Sequence, residues 1–160
     1  MNDPAITPFD SETGFRQAIG TVIAQARQEL RVFDRDIQRL QLEQKASIAA
    51  LEAFLSASRD NRLRIVVHDT SHLERYCPRL HALQLNHLQA MEIRQSPDEL
   101  RHLAEVYVLA DRCHGALRHH GDHPRGKLIL DSADEIHPWW QRFDELWAHA
   151  SPWSASRTGL

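Results

Sequence analysis

The sequence predicts an α/β domain: one mixed, mostly parallel sheet with helices on both faces, completed by a C-terminal antiparallel hairpin and a last helix. Three observations carry this. Short β-branched runs, clearest in Leu63-Arg64-Ile65-Val66-Val67, alternate with stretches whose apolar residues recur at three-and-four spacing. Strands that alternate with helices pair in parallel, and such sheets are covered on both faces. The stretch Ala104–Leu130 departs from that rhythm and reads as three short strands joined by turns, which adds antiparallel pairing.

Residues 1–12 read as a tail, with two prolines and little periodicity, and residues 13–150 as the domain. Thr13 offers an N-cap for a helix with Phe15, Ala18, Ile19, Val22, Ile23 and Ala26 on one face. Leu30–Asp34 is a first strand, and residues 37–43 have no clear assignment. A helix follows from about Gln44 to Ser58, then the strand Leu63–Val67. Helical character returns at Ser71–Tyr76 and, after Pro78, at Arg79–His87; Met91–Arg94 is a strand. Ser96, Pro97 and Glu99 form a capping box for a helical turn. Strands at 105–110, 114–118 and 127–130 precede a helix that begins at Pro138, where proline suits the first helical position. Its stripe is Trp139 or Trp140, Phe143, Leu146, Trp147 and Ala150. Residues 151–160 read as a second tail.

The 160 residues carry 42% apolar and 26% charged side chains, an ordinary globular balance. A net charge of −3 argues against a nucleic-acid-binding domain. No apolar run approaches the ~20 residues of a membrane span. The N-terminus lacks the basic flank and apolar core of a signal peptide. Cys77 and Cys113 show no metal-type spacing, and free thiols in the cytoplasm are expected.

Asp111 ends the apolar strand Ala104-Glu105-Val106-Tyr107-Val108-Leu109-Ala110-Asp111. With the aromatic last helix around Phe143–Trp147, this stretch resembles one half of the phospholipase D superfamily, over roughly residues 14–150. It is most similar to small uncharacterised bacterial domains that occur alone or beside acetyltransferase domains. The family signature is His-x-Lys-x4-Asp, followed by a hairpin and a Gly-Ser pair. Asp111 takes the aspartate position; the histidine position falls on Ala104, the lysine position on Val106, and the Gly-Ser pair on Arg118-His119. The resemblance implies a single phospholipase D-like half with a degenerate active site. In the family one histidine attacks phosphorus, a second protonates the leaving group, and lysines hold the phosphoryl oxygens. Alanine and valine do neither.

Other residues offer substitutes. His119-His120-Gly121-Asp122-His123 gathers imidazoles and a carboxylate suited to zinc, but neighbouring residues on a strand end point to opposite faces, and a solvated loop is the simpler reading. No metal and no cofactor is expected. Asp34-Arg35 and His68-Asp69 follow strands at the carboxyl edge where open α/β sheets bind ligands. Together with Arg118 and His119 they are the ligand-binding candidates, although Asp69 and Ser71 suit helix capping equally. The tryptophans fit a core stripe better than a binding surface, and Arg62, Arg64, Arg75 and Arg79 fit a solvated face. The expectation is a non-catalytic ligand-binding or protein-interaction module, pairing with a second copy or with a partner enzyme such as an acetyltransferase. The alternatives are a diverged phosphodiesterase or hydrolase using His68, Asp69 and the His119–His123 loop, and a metal-binding protein.

Overall fold

The computed structural model describes residues 5–154. The chain order is β1 (Ala5–Phe9), α1 (Glu12–Gln25), β2 (Glu29–Asp34), α2 (Lys45–Ala57), β3 (Arg62–Val67), α3 (Ser71–Tyr76), α4 (Pro78–Asn86), β4 (Met91–Gln95), β5 (Val106–Ala110), β6 (His114–Arg118), β7 (Gly126–Leu130), α5 (Ala133–His149) and β8 (Ser151–Trp153). Short 3₁₀ turns occupy Gln38–Leu40 and Asp98–Leu100. All eight strands form one sheet in the order β1-β7-β6-β5-β2-β3-β4-β8.

The sheet is mixed, as expected, but mostly antiparallel rather than mostly parallel. Only β2–β3 and β3–β4 are parallel pairs, because only these sheet neighbours are joined to each other by helical crossovers. The other five pairs are antiparallel. Two of them come from segments read as tails. β1 pairs with β7 from Ala5↔Leu130 to Phe9↔Gly126, and β8 pairs with β4 from Ile93↔Trp153 to Gln95↔Ser151. Both are edge strands that contain proline, which an edge tolerates because one side of the strand donates no ladder bond. Residues 1–4 and 155–160 of those expected tails lie outside the described residues.

Two helix starts also differ from expectation. Ser11, not Thr13, caps α1, its hydroxyl accepting from the Gly14 amide at 2.9 Å. Helix α5 begins at Ala133 behind Ser132, whose hydroxyl accepts from the Glu135 amide at 3.3 Å, so Pro138 lies inside the helix rather than at its start. Pro138 and Asp134, whose carbonyl loses its usual donor, are both exposed, so water can take the missing bond.

Strand alternation separates two apolar layers. Leu30, Val32, Leu63, Ile65, Val67, Val106, Val108 and Ala110 face α1–α4, while Phe33, Val66, Tyr107, Leu109, Leu117 and Ile129 face α5. The α5 side is held as much by arginines as by hydrocarbon. Arg31 lies 3.8 Å from the Trp140 ring centroid, Arg94 4.0 Å and Arg64 5.4 Å from that of Trp147. Arg31 also donates to the Trp140 carbonyl at 3.0 Å, and Arg94 to that of Trp147 at 2.8 Å. The tryptophans are therefore packing residues, and Arg64 belongs to this seam. Arg94→Ala, which removes a cation–π contact and a half-buried hydrogen bond, is expected to cost about 1–2 kcal/mol in urea unfolding.

Candidate functional site

The carboxyl ends of β2 and β3 and the amino end of β5 meet at one edge of the sheet, because β5 runs antiparallel to β2 with Phe33 opposite Tyr107. A cleft of about 100 Å³ opens there, between Asp34, Arg35, Arg39, His68, Arg101, Leu103, Ala104, Glu105, Val106, Gly121 and Asp122. The loop after β6 closes one wall, with the Gly121 amide donating to the Ala104 carbonyl at 2.7 Å. A Cβ on Gly121 would sit 3.0 Å from Arg39 Nη1 and 3.1 Å from Val106 Cγ2, so any larger residue would press on these neighbours.

Asp34 is the unusual residue of the cleft. Its side chain is fully buried, and its carboxylate makes no well-formed hydrogen bond, only looser approaches of the Arg35 and Ile37 amides. Its charge partner is Arg39, with Nε 3.5 Å from Oδ1. Burial outweighs Arg39 and pushes the Asp34 carboxyl up to about 6. Arg39 is brought near by a turn in which Ile37, a β-branched residue that is 2% exposed, adopts φ 70°. Such a conformation costs energy and persists only where its surroundings impose it.

His68 is buried beside Asp34 but spends both ring nitrogens on structure. Nδ1 meets the Ser96 hydroxyl, and Nε2 lies 2.8 Å from the Leu103 carbonyl. The carbonyl only accepts, so the neutral ring carries its proton on Nε2, and Ser96 donates to Nδ1. Burial first, and then Arg101, His102 and Arg35, hold His68 below its ordinary range. Ser96 is thus a partner of His68, not the helix cap that the capping box predicts. Asp69 accepts from the Ser71 amide at 2.8 Å and serves the start of α3.

The remaining candidates lie elsewhere. Arg118 is fully buried, donating to Glu12 at 2.7 Å and to the Gly121 carbonyl at 2.6 Å, and so ties α1 to the wall of the cleft. His119 is exposed against Trp139, with 5.1 Å between ring centroids, on the opposite face of the strand end. His120 and His123 lie with ring centroids 5.1 Å apart at a tilt of 52°, and of that loop Gly121 and Asp122, but none of the histidines, reach the cleft. Among the described residues the one cluster with metal-ligand proximity is Cys113, His114 and Asp131. His114 Nδ1 there accepts the Asp131 amide at 3.1 Å, which places the proton of the neutral ring on Nε2 and leaves no free nitrogen lone pair.

Asp111 sits at the far end of β5 from Val106, about 17 Å along the strand. Its carboxylate accepts from the amides of Arg27, Gln28 and Glu29 at 2.8, 2.8 and 2.9 Å, and its own backbone has φ 56°. It braces the turn into β2.

Asp34, Arg35, His68, Ala104 and Val106 are therefore gathered in one cleft, whereas Asp69, Arg118, His119 and Asp111 serve other purposes. Arg39 and Arg101 are the cleft residues the sequence does not single out. One lies in the unassigned stretch and the other in a turn, and neither carries a local motif.

Among solved structures, the chain is similar to Nuc from Salmonella typhimurium, a phospholipase D family member, at 13% identity and TM-score 0.65, covering 95% of this chain and 99% of that one. It is also similar to TrmBL2, an archaeal chromatin protein, at 16% identity and TM-score 0.60, covering 91% of this chain and 53% of that one. NucT from Helicobacter pylori matches at 10% identity and TM-score 0.57, covering 94% and 100%. These likenesses show a phospholipase D-like fold of the single-half type. No curated protein matches by sequence. Among the described residues no helix is long and apolar enough to cross a membrane. The model of one family, Domain of unknown function (DUF7931), matches residues 11–158, and the chain belongs to that family.

Proposed function

We propose that this protein is a non-catalytic ligand-binding module on a phospholipase D-like fold whose catalytic positions have been replaced. The observation that carries this is the composition of the cleft. Ala104 lines the cleft and Val106, buried in its wall, belongs to the core, and beside them lies the buried carboxylate of Asp34, paired with Arg39 at 3.5 Å. A site that transfers a phosphoryl group needs a nucleophile and cations for the developing charge. Here the aligned positions carry methyl groups, and a phosphate oxygen at ~4 Å from an ionised Asp34 meets a repulsion of about 4 kcal/mol. His68 offers no free base, since Ser96 and Leu103 hold both its nitrogens. His119 packs on Trp139 and does not line the cleft. Nucleic acid is not part of the proposal: the arginines of the cleft are matched by Asp34, Glu105 and Asp122, and the chain carries a net charge of −3.

The test is hydrolysis of bis(p-nitrophenyl) phosphate by the wild type, His68→Ala and His119→Ala. The expected result is no turnover above buffer in any of the three. Turnover by the wild type that either substitution abolishes would establish the diverged hydrolase instead.

A further inference from the structure

We infer that a groove beside the cleft, on the α5 side of the sheet, binds a small uncharged molecule: one ring that carries a single oxygen acceptor. This goes beyond the proposed function, which concerns the cleft itself. The groove encloses about 370 Å³, within the ~300–1,000 Å³ of small-molecule sites. Phe33 and Tyr107 form its floor, where β2 and β5 pair. One wall is Leu146 of α5, and the other is Leu100 and Leu103 of the segment before β5. The groove shares Leu103 and Glu105 with the cleft.

A second observation is the Tyr107 hydroxyl. Tyr107 is 1% exposed, and its ring packs against Phe33, Trp139 and Phe143. A buried tyrosine usually finds a partner for its hydroxyl. This one has none among the described residues. The sealed polar atoms without a partner, among the described residues, belong to Asp34, Arg39, Arg118 and Trp140. The Tyr107 hydroxyl is not sealed with them; what remains of its surface opens on the groove. Burial holds the hydroxyl protonated far above the ordinary range, so it is a standing donor. A ligand oxygen that accepts from it removes the cost of an unmade bond.

The charges of the groove leave no place for an ion. Arg142 donates to Glu105 at 2.7 Å, a pair that ties the two walls together, and its guanidinium lies 5.3 Å from the Trp139 ring centroid. Glu145 and His149 are exposed at the rim, and His149 Nδ1 lies 2.8 Å from the Glu145 carbonyl. An anionic ligand would have to take Arg142 from Glu105 and face Glu145 as well. A cationic ligand would trade its hydration for a floor of Phe33 between leucines. An uncharged ring avoids both costs. It buries apolar surface against Leu100, Leu103 and Leu146 and turns its oxygen to Tyr107.

The experiment follows amide chemical shifts of the intact protein during titration with acetophenone. Ethylbenzene is the control without an acceptor, benzoate and benzylammonium are the charged controls, and Tyr107→Phe is the variant. That variant removes only a hydroxyl that bonds nothing, so it keeps the fold. Saturable shifts are expected at residues 100–107 and 142–149. Ethylbenzene should bind the wild type about fivefold more weakly than acetophenone, the effect of one neutral hydrogen bond. Tyr107→Phe should weaken acetophenone by the same factor and leave ethylbenzene unchanged. Both charged controls should bind more weakly than acetophenone. Equal or tighter binding of benzoate or benzylammonium would make the groove a charged site. Acetophenone no better than ethylbenzene, or undiminished in Tyr107→Phe, would remove the hydroxyl from recognition. Shifts centred on residues 34–39, or none that saturate, would remove the groove. Each of these results overturns the inference. The non-catalytic reading of the cleft is tested apart from it, by turnover of the phosphodiester.

Discussion

Asp34→Asn is expected to stabilise the protein by up to about 3 kcal/mol near neutral pH. The wild-type carboxyl is raised from an ordinary value of 3.8 to about 6, with burial the largest cause. The folded chain therefore binds this proton more tightly than the unfolded chain. The contribution of Asp34 to stability is fully present below 3.8 and is lost as pH rises through about 6. Asparagine does not titrate, so the variant's advantage should be near zero at the acid end of that window and reach its full size above it. Arg39 is 20% exposed and can turn to water when its partner is neutral. Urea unfolding of both proteins across this range checks the account. A variant less stable than wild type near neutrality would mean that the carboxylate holds the fold together. Stability sacrificed at a residue lining a cleft is the usual sign of a group kept for binding rather than packing.

Asp111→Ala should have an effect of similar size and opposite sign, about 3 kcal/mol of destabilisation. Three backbone amides lose a charged acceptor at once. Alanine also tolerates φ 56° less well than aspartate does. Asp111→Asn keeps one acceptor oxygen and accepts the left-handed backbone, so it should cost markedly less. Urea midpoints order the three proteins. A wild-type-like midpoint for Asp111→Ala would contradict the bracing role. The contrast between the two aspartates is between a buried charge that costs stability and a carboxylate that supplies it. Asp111 works at the opposite end of β5 from Ala104 and Val106, and its structural task needs no nucleophile nearby.

Much of the fold is legible locally. The β-branched run around Ile65, the apolar spacing of α1 and the proline after Tyr76 each announce an element through short-range chemistry. The edge strands are not, because Ala5–Phe9 is almost entirely exposed and Ser151–Trp153 is only three residues long; neither alternates in a way that marks a buried face. The parallel bias of the expected sheet fails for a related reason: pairing direction depends on where the chain re-enters the sheet after β4, which no local pattern records. The site shows the same division. Asp34, Arg35 and His68 follow strand carboxyl ends, and that rule points to the cleft they line. Arg39 and Arg101 reach the cleft only through the left-handed turn at Ile37 and the packing of the segment before β5. Arg118 and His119 share a strand end, and alternation sends one into the core and the other to the surface.

The proposed non-catalytic reading is tested most directly by the intact mass of the protein after incubation with bis(p-nitrophenyl) phosphate and an alkaline quench, conditions that preserve a phosphorylated histidine. On that reading Ala104 and Val106 replace the nucleophile and the cation, and the one histidine lining the cleft is held by Ser96 and Leu103. The account predicts an unchanged mass and no release of nitrophenolate. A mass increase of one nitrophenylphosphoryl group, located on His68 or on a histidine of the 119–123 loop, would contradict it.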